Sequence, residues 1–202
     1  MAGRPRSFDR HQALSRAMEV FWAKGYADAS MADLTAAMGI NAPSLYGAFG
    51  SKEDLFREAV RLYGATEGAT LWASVREART AREAVEGLLT ATVAANGRCD
   101  RPSGCLISLS RVQPDSLPDA AGADLAEIRA EAIAEMKARM AEGQAAGEIA
   151  DDADPAAMAA FYITVQQGMV MRAREGASSE ELAGTARAAM LAWDGLAGVR
   201  RS

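Results

Sequence analysis

Apolar positions along this chain return every three or four residues and almost nowhere alternate. Leu14, Met18, Phe21 and Trp22 fall on one side of a helix, and so do Met31, Leu34 and Met38. Leu45 and Phe49 continue the pattern, followed by Leu55, Phe56, Ala59, Leu62 and Tyr63. Start and stop signals cut these stripes into elements. The first helix is predicted over 8–24, capped by Ser7 and stopped by Gly25. Ser30-Met31-Ala32-Asp33 is a capping box with Asp in the place of the usual Glu or Gln, and Gly39 ends the short helix it opens. Asn41 caps a third helix, with Pro43 in its first turn, where a missing N–H costs nothing. Gly50 ends it, and Ser51-Lys52-Glu53-Asp54 opens a fourth, expected to run to about residue 71.

The remainder repeats the theme with longer pieces. Thr80 caps a helix ending near Asn96-Gly97, and the loop RCDRPSG leads into the short apolar segment CLISLSRV. A long amphipathic helix follows over about 120–145. Asp154-Pro155 opens another helix, and Ser178-Ser179-Glu180-Glu181 opens the last, to about residue 196. The expected fold is all-α, with about nine helices and no strand. A break inside or just after the fourth helix divides it into residues 1–63, including an N-terminal arm over 1–7, and residues 64–202. No flexible linker separates the two parts, so they should pack together.

Composition narrows the class of protein. Half of the 202 residues are hydrophobic and 24% are charged, which suits a globular chain rich in helix formers. The best candidate for a membrane span, MAAFYITV at 158–165, is far too short, and the N-terminus lacks the apolar core of a secretory signal. Two cysteines in a chain of this length make no disulfide framework, so the expectation is a cytoplasmic protein in a reducing compartment. The net charge of −5 hides an asymmetry: residues 1–63 hold eight Lys/Arg against seven Asp/Glu, and the rest hold 14 against 20. A polyanionic partner would therefore meet the front of the chain.

The chemistry concentrates in INAPSLYGAFGSKEDL, residues 40–55. Gly39 can take the left-handed conformation that turns the second helix into the third. Ile40, Leu45 and Phe49 pin the third helix from inside, leaving small and polar groups outward. A helix that offers its N-terminal residues to base edges needs such a face to enter the major groove, so this pair is a helix-turn-helix candidate. Ahead of it, Arg4 and Arg6 flank Pro5 on an extended arm, a form that suits the minor groove.

ALSRAMEVFWAKGYADASMADLTAAMGINAPSLYGAFGSKEDLFREAV, residues 13–60, resembles the signature of the tetracycline-repressor (TetR/AcrR) family of bacterial transcriptional regulators. Gly25-Tyr26, Ser30-Met31, Met38-Gly39-Ile40, Ser44-Leu45-Tyr46, Phe49 and Ser51 through Leu55 fall in register over roughly a quarter of the chain. The resemblance implies that Ser30 and Tyr46 meet backbone phosphates and that Lys52 neutralises another. It places Asn41, Ala42, Pro43 and Ser44 at the groove, with Ser44 bonding a base. Gly47 departs from the pattern, since family members often carry a larger side chain there.

The resemblance further implies a homodimer on double-stranded operator DNA, joined through the last two helices. Ala160, Gly168, Ala186, Ala189, Met190 and Trp193 are the interface candidates. It implies an effector pocket in the back half as well, with Trp72, Leu89, Val93, Met136, Met140, Phe161, Tyr162, Val165, Gln166 and Met169 as candidate walls. Few charges lie on these stripes, so the effector should be apolar or weakly polar. The expected function is a dimeric repressor released from a palindromic operator by that effector, with no cofactor and no metal. Cys99 and Cys105 carry an alternative, a thiol switch that would staple the intervening loop. They make a poor metal site, since no histidine lies near them. No enzyme is expected: His11 is the only histidine, and no motif places a nucleophile beside it.

Overall fold

The computed structural model describes residues 8–98, 101–110 and 117–198. Its α-helices in chain order are α1 (Arg10–Asp28), α2 (Met31–Met38), α3 (Ala42–Phe49), α4 (Lys52–Tyr63), α5 (Ala69–Glu77) and α6 (Ala81–Asn96). They continue as α7 (Leu106–Leu109), α8 (Asp119–Ala145), α9 (Pro155–Arg174), α10 (Ser179–Leu191) and α11 (Trp193–Leu196). A π-helical segment, Gly64–Gly68, joins α4 to α5 without a break, and Ala192 alone separates α10 from α11. Counted as continuous rods, the described residues form nine, and they contain no strand.

Three boundaries differ from the sequence reading. The cap of α1 is Asp9 rather than Ser7, which lies outside the described residues; its carboxylate accepts from the backbone N–H groups of His11 (2.8 Å) and Gln12 (3.1 Å). A carboxylate there also opposes the positive end of the helix dipole. Gly25 does interrupt the rod, at φ +80°, but another turn follows it to Asp28. The fourth helix does not stop near residue 71. Gly64 and Gly68 both hold ordinary helical angles, so the chain passes through the wider π turn and stays helical to Glu77.

Burial collects into two cores. The first holds Leu14, Phe21 and Trp22 of α1, Leu34 of α2, Leu45 and Phe49 of α3, and Leu55, Phe56 and Tyr63 of α4. It also takes in Leu106 and Ile107 of α7 and Leu125 of α8, so the front half is packed onto the back half rather than tethered to it. The second gathers Val75, Leu88, Leu89, Met136, Met140, Tyr162, Met169 and Trp193, from α5, α6, α8, α9 and α11. Polar ties reinforce the junction. Trp22 Nε1 donates to the Gly104 carbonyl at 3.1 Å in a buried position, and Arg57 grips Asp124 of α8 with two bonds, at 2.8 and 3.2 Å. A bidentate pair fixes orientation as well as distance. Arg174 of α9 donates to the Ala23 carbonyl of α1.

Candidate functional site

The turn between α2 and α3 is built as its sequence demands. Gly39 sits at φ +66°, ψ 30°, and Ile40 N–H closes the end of α2 onto the Thr35 carbonyl at 3.2 Å. Asn41 Oδ1 accepts from Ser44 N–H at 2.9 Å, starting α3 at once. Leu45 and Phe49 point into the core, while Asn41, Ala42, Pro43, Tyr46 and Gly47 are exposed and Ser44 is half-buried. Tyr46 is 50% exposed, and neither its hydroxyl nor that of Ser44 bonds to any described residue. A β-carbon added at Gly47 would meet nothing within 4 Å. The outer face of α3 is thus a shallow surface of small groups with one projecting phenol.

Around that face the charges are already organised. Ser30 Oγ accepts from Asp33 N–H at 3.1 Å, while the Asp33 carboxylate accepts from the Ser30 N–H (3.0 Å) and hydroxyl (2.7 Å). Lys24 Nζ lies 2.7 Å from the other Asp33 oxygen. The Lys24 hydrogen bond, followed by those from Ser30, holds the Asp33 carboxyl down at about 2. The ammonium of Lys52 rests 4.6 Å above the Tyr26 ring and 3.5 Å from the Ala27 carbonyl, and burial lowers its pKa. Arg10 is bonded to Glu58 at 2.7 Å and stacked 4.4 Å from the centroid of Phe49. Arg16, exposed on α1, has no acidic partner among the described residues. Arg4 and Arg6 of the arm lie outside the described residues.

These shifts set an acid limit for the front half. A carboxyl depressed below its ordinary value of 3.8 contributes stability in full above that value and loses it as pH falls towards the folded pKa near 2. Asp54 of the α4 capping box and Asp124 are lowered too, by bonds from Ser51 and Arg57 respectively. The urea midpoint of unfolding is expected to hold steady down to about pH 5 and to drop between about pH 4 and pH 2. Lys24→Met should lower the midpoint above about pH 5 and make that acid drop shallower, because it removes the first cause of the Asp33 shift and leaves less stability to lose. Wild type and variant with superimposed acid profiles would show that the pair contributes nothing.

A second feature lies in the back half. A cavity of about 240 Å³ is walled by Tyr63, Gly64, Gly68, Leu71, Trp72, Cys105, Ile107, Ile128, Ile133, Ile163 and Gln166, with Arg76, Arg129, Glu131 and Glu135 among its polar neighbours. Of the ten wall residues expected from sequence, Trp72 and Gln166 line it. Leu89, Met136, Met140, Tyr162 and Met169 are packed solid in the second core, Val93 and Val165 are half-buried against it, and Phe161 is 38% exposed on the far side of α9. Helical spacing identifies inward positions, and most inward positions fill space rather than border a void. The Tyr162 hydroxyl donates to the Ala189 carbonyl at 3.4 Å, and burial pushes its pKa up to about 12. The other walls of this cavity come from the π segment, α5, α7, the middle of α8 and Ile163 of α9. The Gly64/Gly68 pair inside an otherwise regular helix was the available signal.

Among the interface candidates, Ala160 and Gly168 are exposed and Ala186 and Met190 half-buried. Ala189 and Trp193 instead belong to the chain's own core. Leu191 stands out at 83% exposed. Cys105 is a free, half-buried thiol in the cavity wall, and Cys99 lies outside the described residues. Among the described residues no group of three His, Cys, Asp or Glu side chains could hold a metal, and no helix is long and apolar enough to cross a membrane.

Comparison with known proteins agrees with this geometry. Residues 13–59 match the family described as bacterial regulatory proteins, tetR family, and residues 81–190 match the tetracyclin repressor-like C-terminal domain. The HTH-type transcriptional repressor ComR of Escherichia coli K12 is 37% identical over 95% of this chain and 91% of its own length. The repressor BdcR of the same organism is 34% identical over 91% and 88%. Among solved structures, a cysteine mutant of the TetR-family regulator CifR, complexed with a 26-base-pair double-strand operator DNA, superposes with a TM-score of 0.87. It is 43% identical over 94% of this chain and all of that one. The chain belongs to the tetR family of bacterial regulatory proteins, and it is a DNA-binding transcriptional regulator built on a helix-turn-helix.

Proposed function

We propose that this regulator represses as a homodimer and leaves its operator when a small molecule occupies the cavity walled by Tyr63, Trp72 and Gln166. The observation that carries the reading is the double membership of Tyr63. Its ring packs edge-on against Trp22 in the front core, centroids 4.9 Å apart, and the same side chain forms part of the cavity wall. Burial, with Cys105 beside it, pushes its hydroxyl pKa well above the ordinary value of 10.0. A molecule that displaces Tyr63 or widens the π segment acts directly on α4, whose other end carries Ser51 and Lys52 beside the reading head. Interaction with the two states must differ for the effector to work, and typical couplings between sites of about 1–3 kcal/mol correspond to severalfold to hundredfold changes in affinity.

On the DNA side, the exposed front of α3 offers Ala42, Pro43 and Ser44 to the groove and Tyr46 to a phosphate. Lys52 supplies charge from its perch on Tyr26, with the α2 N-terminus and Ser30 supporting the backbone contact. The α9 and α10 surfaces carrying Ala160, Phe161, Gly168 and Leu191 supply the two-fold contact that a palindromic operator requires. No catalytic role is proposed for His11, which is exposed at the start of α1.

Fluorescence anisotropy on a duplex from upstream of the protein's own gene tests this. Tyr46→Phe removes a hydroxyl with no partner among the described residues, so folding should be untouched and operator affinity should fall about tenfold or more, the worth of a hydrogen bond to a charged group. Equal affinity for wild type and Tyr46→Phe would take Tyr46 out of the phosphate contacts. Failure of the wild-type protein to bind any genomic duplex at low salt would remove the function altogether.

A further inference from the structure

The polar groups of the cavity say what kind of molecule it holds, an inference that rests on reading this cavity as the effector site. Its charged neighbours come as two arginines and two glutamates, so no net charge faces an occupant. They are also engaged: Arg76 pairs with Glu135 at 3.5 Å and donates to the Ala69 carbonyl at 2.8 Å, and Arg129 reaches the Ile107 carbonyl at 3.5 Å. Glu131 is exposed to water. An ionic ligand would give up hydration and find only charges that already have partners or solvent.

Gln166 is different. It is 5% exposed, it lies on the cavity wall, and none of the described residues hydrogen-bonds its side-chain amide. Its polar atoms are nevertheless not sealed inside protein, which leaves the cavity as the space they open onto. Buried amides in native proteins nearly always have partners, because an unmet donor and acceptor are costly. An amide pairs best with a group that can both accept from its NH₂ and donate to its carbonyl. The rest of the wall, Leu71, Trp72, Ile128, Ile133 and Ile163, is apolar. At about 240 Å³ the space exceeds the roughly 150 Å³ that accommodates a benzene ring, by enough for one short substituent.

We propose that the cavity takes a neutral molecule of single-ring size, largely apolar, carrying one uncharged group such as a carboxamide or hydroxyl that bonds to Gln166. Isothermal titration of the full chain with benzamide, toluene, benzoate and benzylammonium tests this. Benzamide should bind roughly tenfold more tightly than toluene and than either charged probe, the effect of one neutral hydrogen bond made where none existed. In Gln166→Leu the preference of benzamide over toluene should shrink to near unity while toluene binding persists. Retained toluene affinity shows the cavity intact, a result that mere unfolding would not give. Gln166→Asn, which keeps the amide but shortens its reach, should fall between the two. Benzamide binding no tighter than toluene, a preference that survives Gln166→Leu, tightest binding by a charged probe, or no neutral binding at millimolar concentration each overturns the proposal. The same samples with labelled operator duplex separate it from the reading beneath it. Benzamide that binds through Gln166 without loosening the operator upholds the ligand class and overturns the cavity's role as effector site.

Discussion

Leu191→Glu should turn the protein into a folded monomer and weaken operator binding by roughly 10²- to 10⁴-fold, the range by which two linked contacts exceed one. Leu191 sits on α10 with 83% of its surface in water, while the residues behind it, Leu182 and Ala189, are buried. An isolated exposed leucine is unremarkable, but α10 packs against α9, which carries exposed Phe161 and the exposed small residues Ala160 and Gly168. On a two-fold axis the same patch meets itself, so a glutamate there would face its own copy and lose hydration without gaining a partner. The side chain touches little within its own chain, so the helical signal and thermal midpoint of the monomer should match a truncation at the same site, Leu191→Ala. Sedimentation equilibrium reads the result. A variant that remains dimeric, or one that becomes monomeric yet binds the full operator as tightly as wild type, would sink the assignment of this face.

Phe21→Ala carries the second large effect, a loss of about 3–5 kcal/mol in the stability of the front half. Phe21 is fully buried, and its ring meets Phe56 edge-on at 5.0 Å and lies nearly parallel to Tyr26 at 6.2 Å. Tyr26 and Phe56 are themselves 5.1 Å apart, so the three rings form one unit that joins both sides of the Gly25 interruption in α1 to α4. Removing the central ring leaves a void that helices fixed by capping boxes cannot close. The functional consequence reaches further than stability. Tyr26 is the platform for Lys52, and Phe56 positions the helix on which Lys52 stands. Operator affinity should therefore fall even where the variant remains folded at low temperature. Urea unfolding followed by hydrogen exchange in α1 to α4 measures the first effect. A loss below about 1 kcal/mol would mean that the surrounding helices repack, and that the aromatic unit is not what holds the reading head.

The pH profile, the Tyr46 hydroxyl and the Gln166 amide test smaller contributions around these two. Together the variants test folding, the proposed pairing, DNA contact and the proposed response separately. The bidentate bond between Arg57 and Asp124 ties α4 to α8, and α8 contributes Ile128 and Ile133 to the cavity.

Local rules of the chain determined a great deal. Capping boxes at Ser30 and Ser51, the Asn41 cap and the left-handed Gly39 are interactions among residues three or four apart, so their spacing in the sequence is already their geometry. The helix-turn-helix, the outward face of α3 and the family itself were legible for that reason. The π segment, the course of α4 into α5 and the position of the cavity were decided by tertiary structure. Leu89, Met136 and Tyr162 have the same inward register as Trp72 and Gln166, yet the first three meet side chains and the last two meet open space. Likewise Ala189 and Trp193 turn into their own chain while Leu191, beside them in sequence, faces out. Periodicity says which way a side chain points; only the arrival of another helix at that spot, set by contacts tens of residues away, decides whether it is packed, left beside a void or offered to a partner.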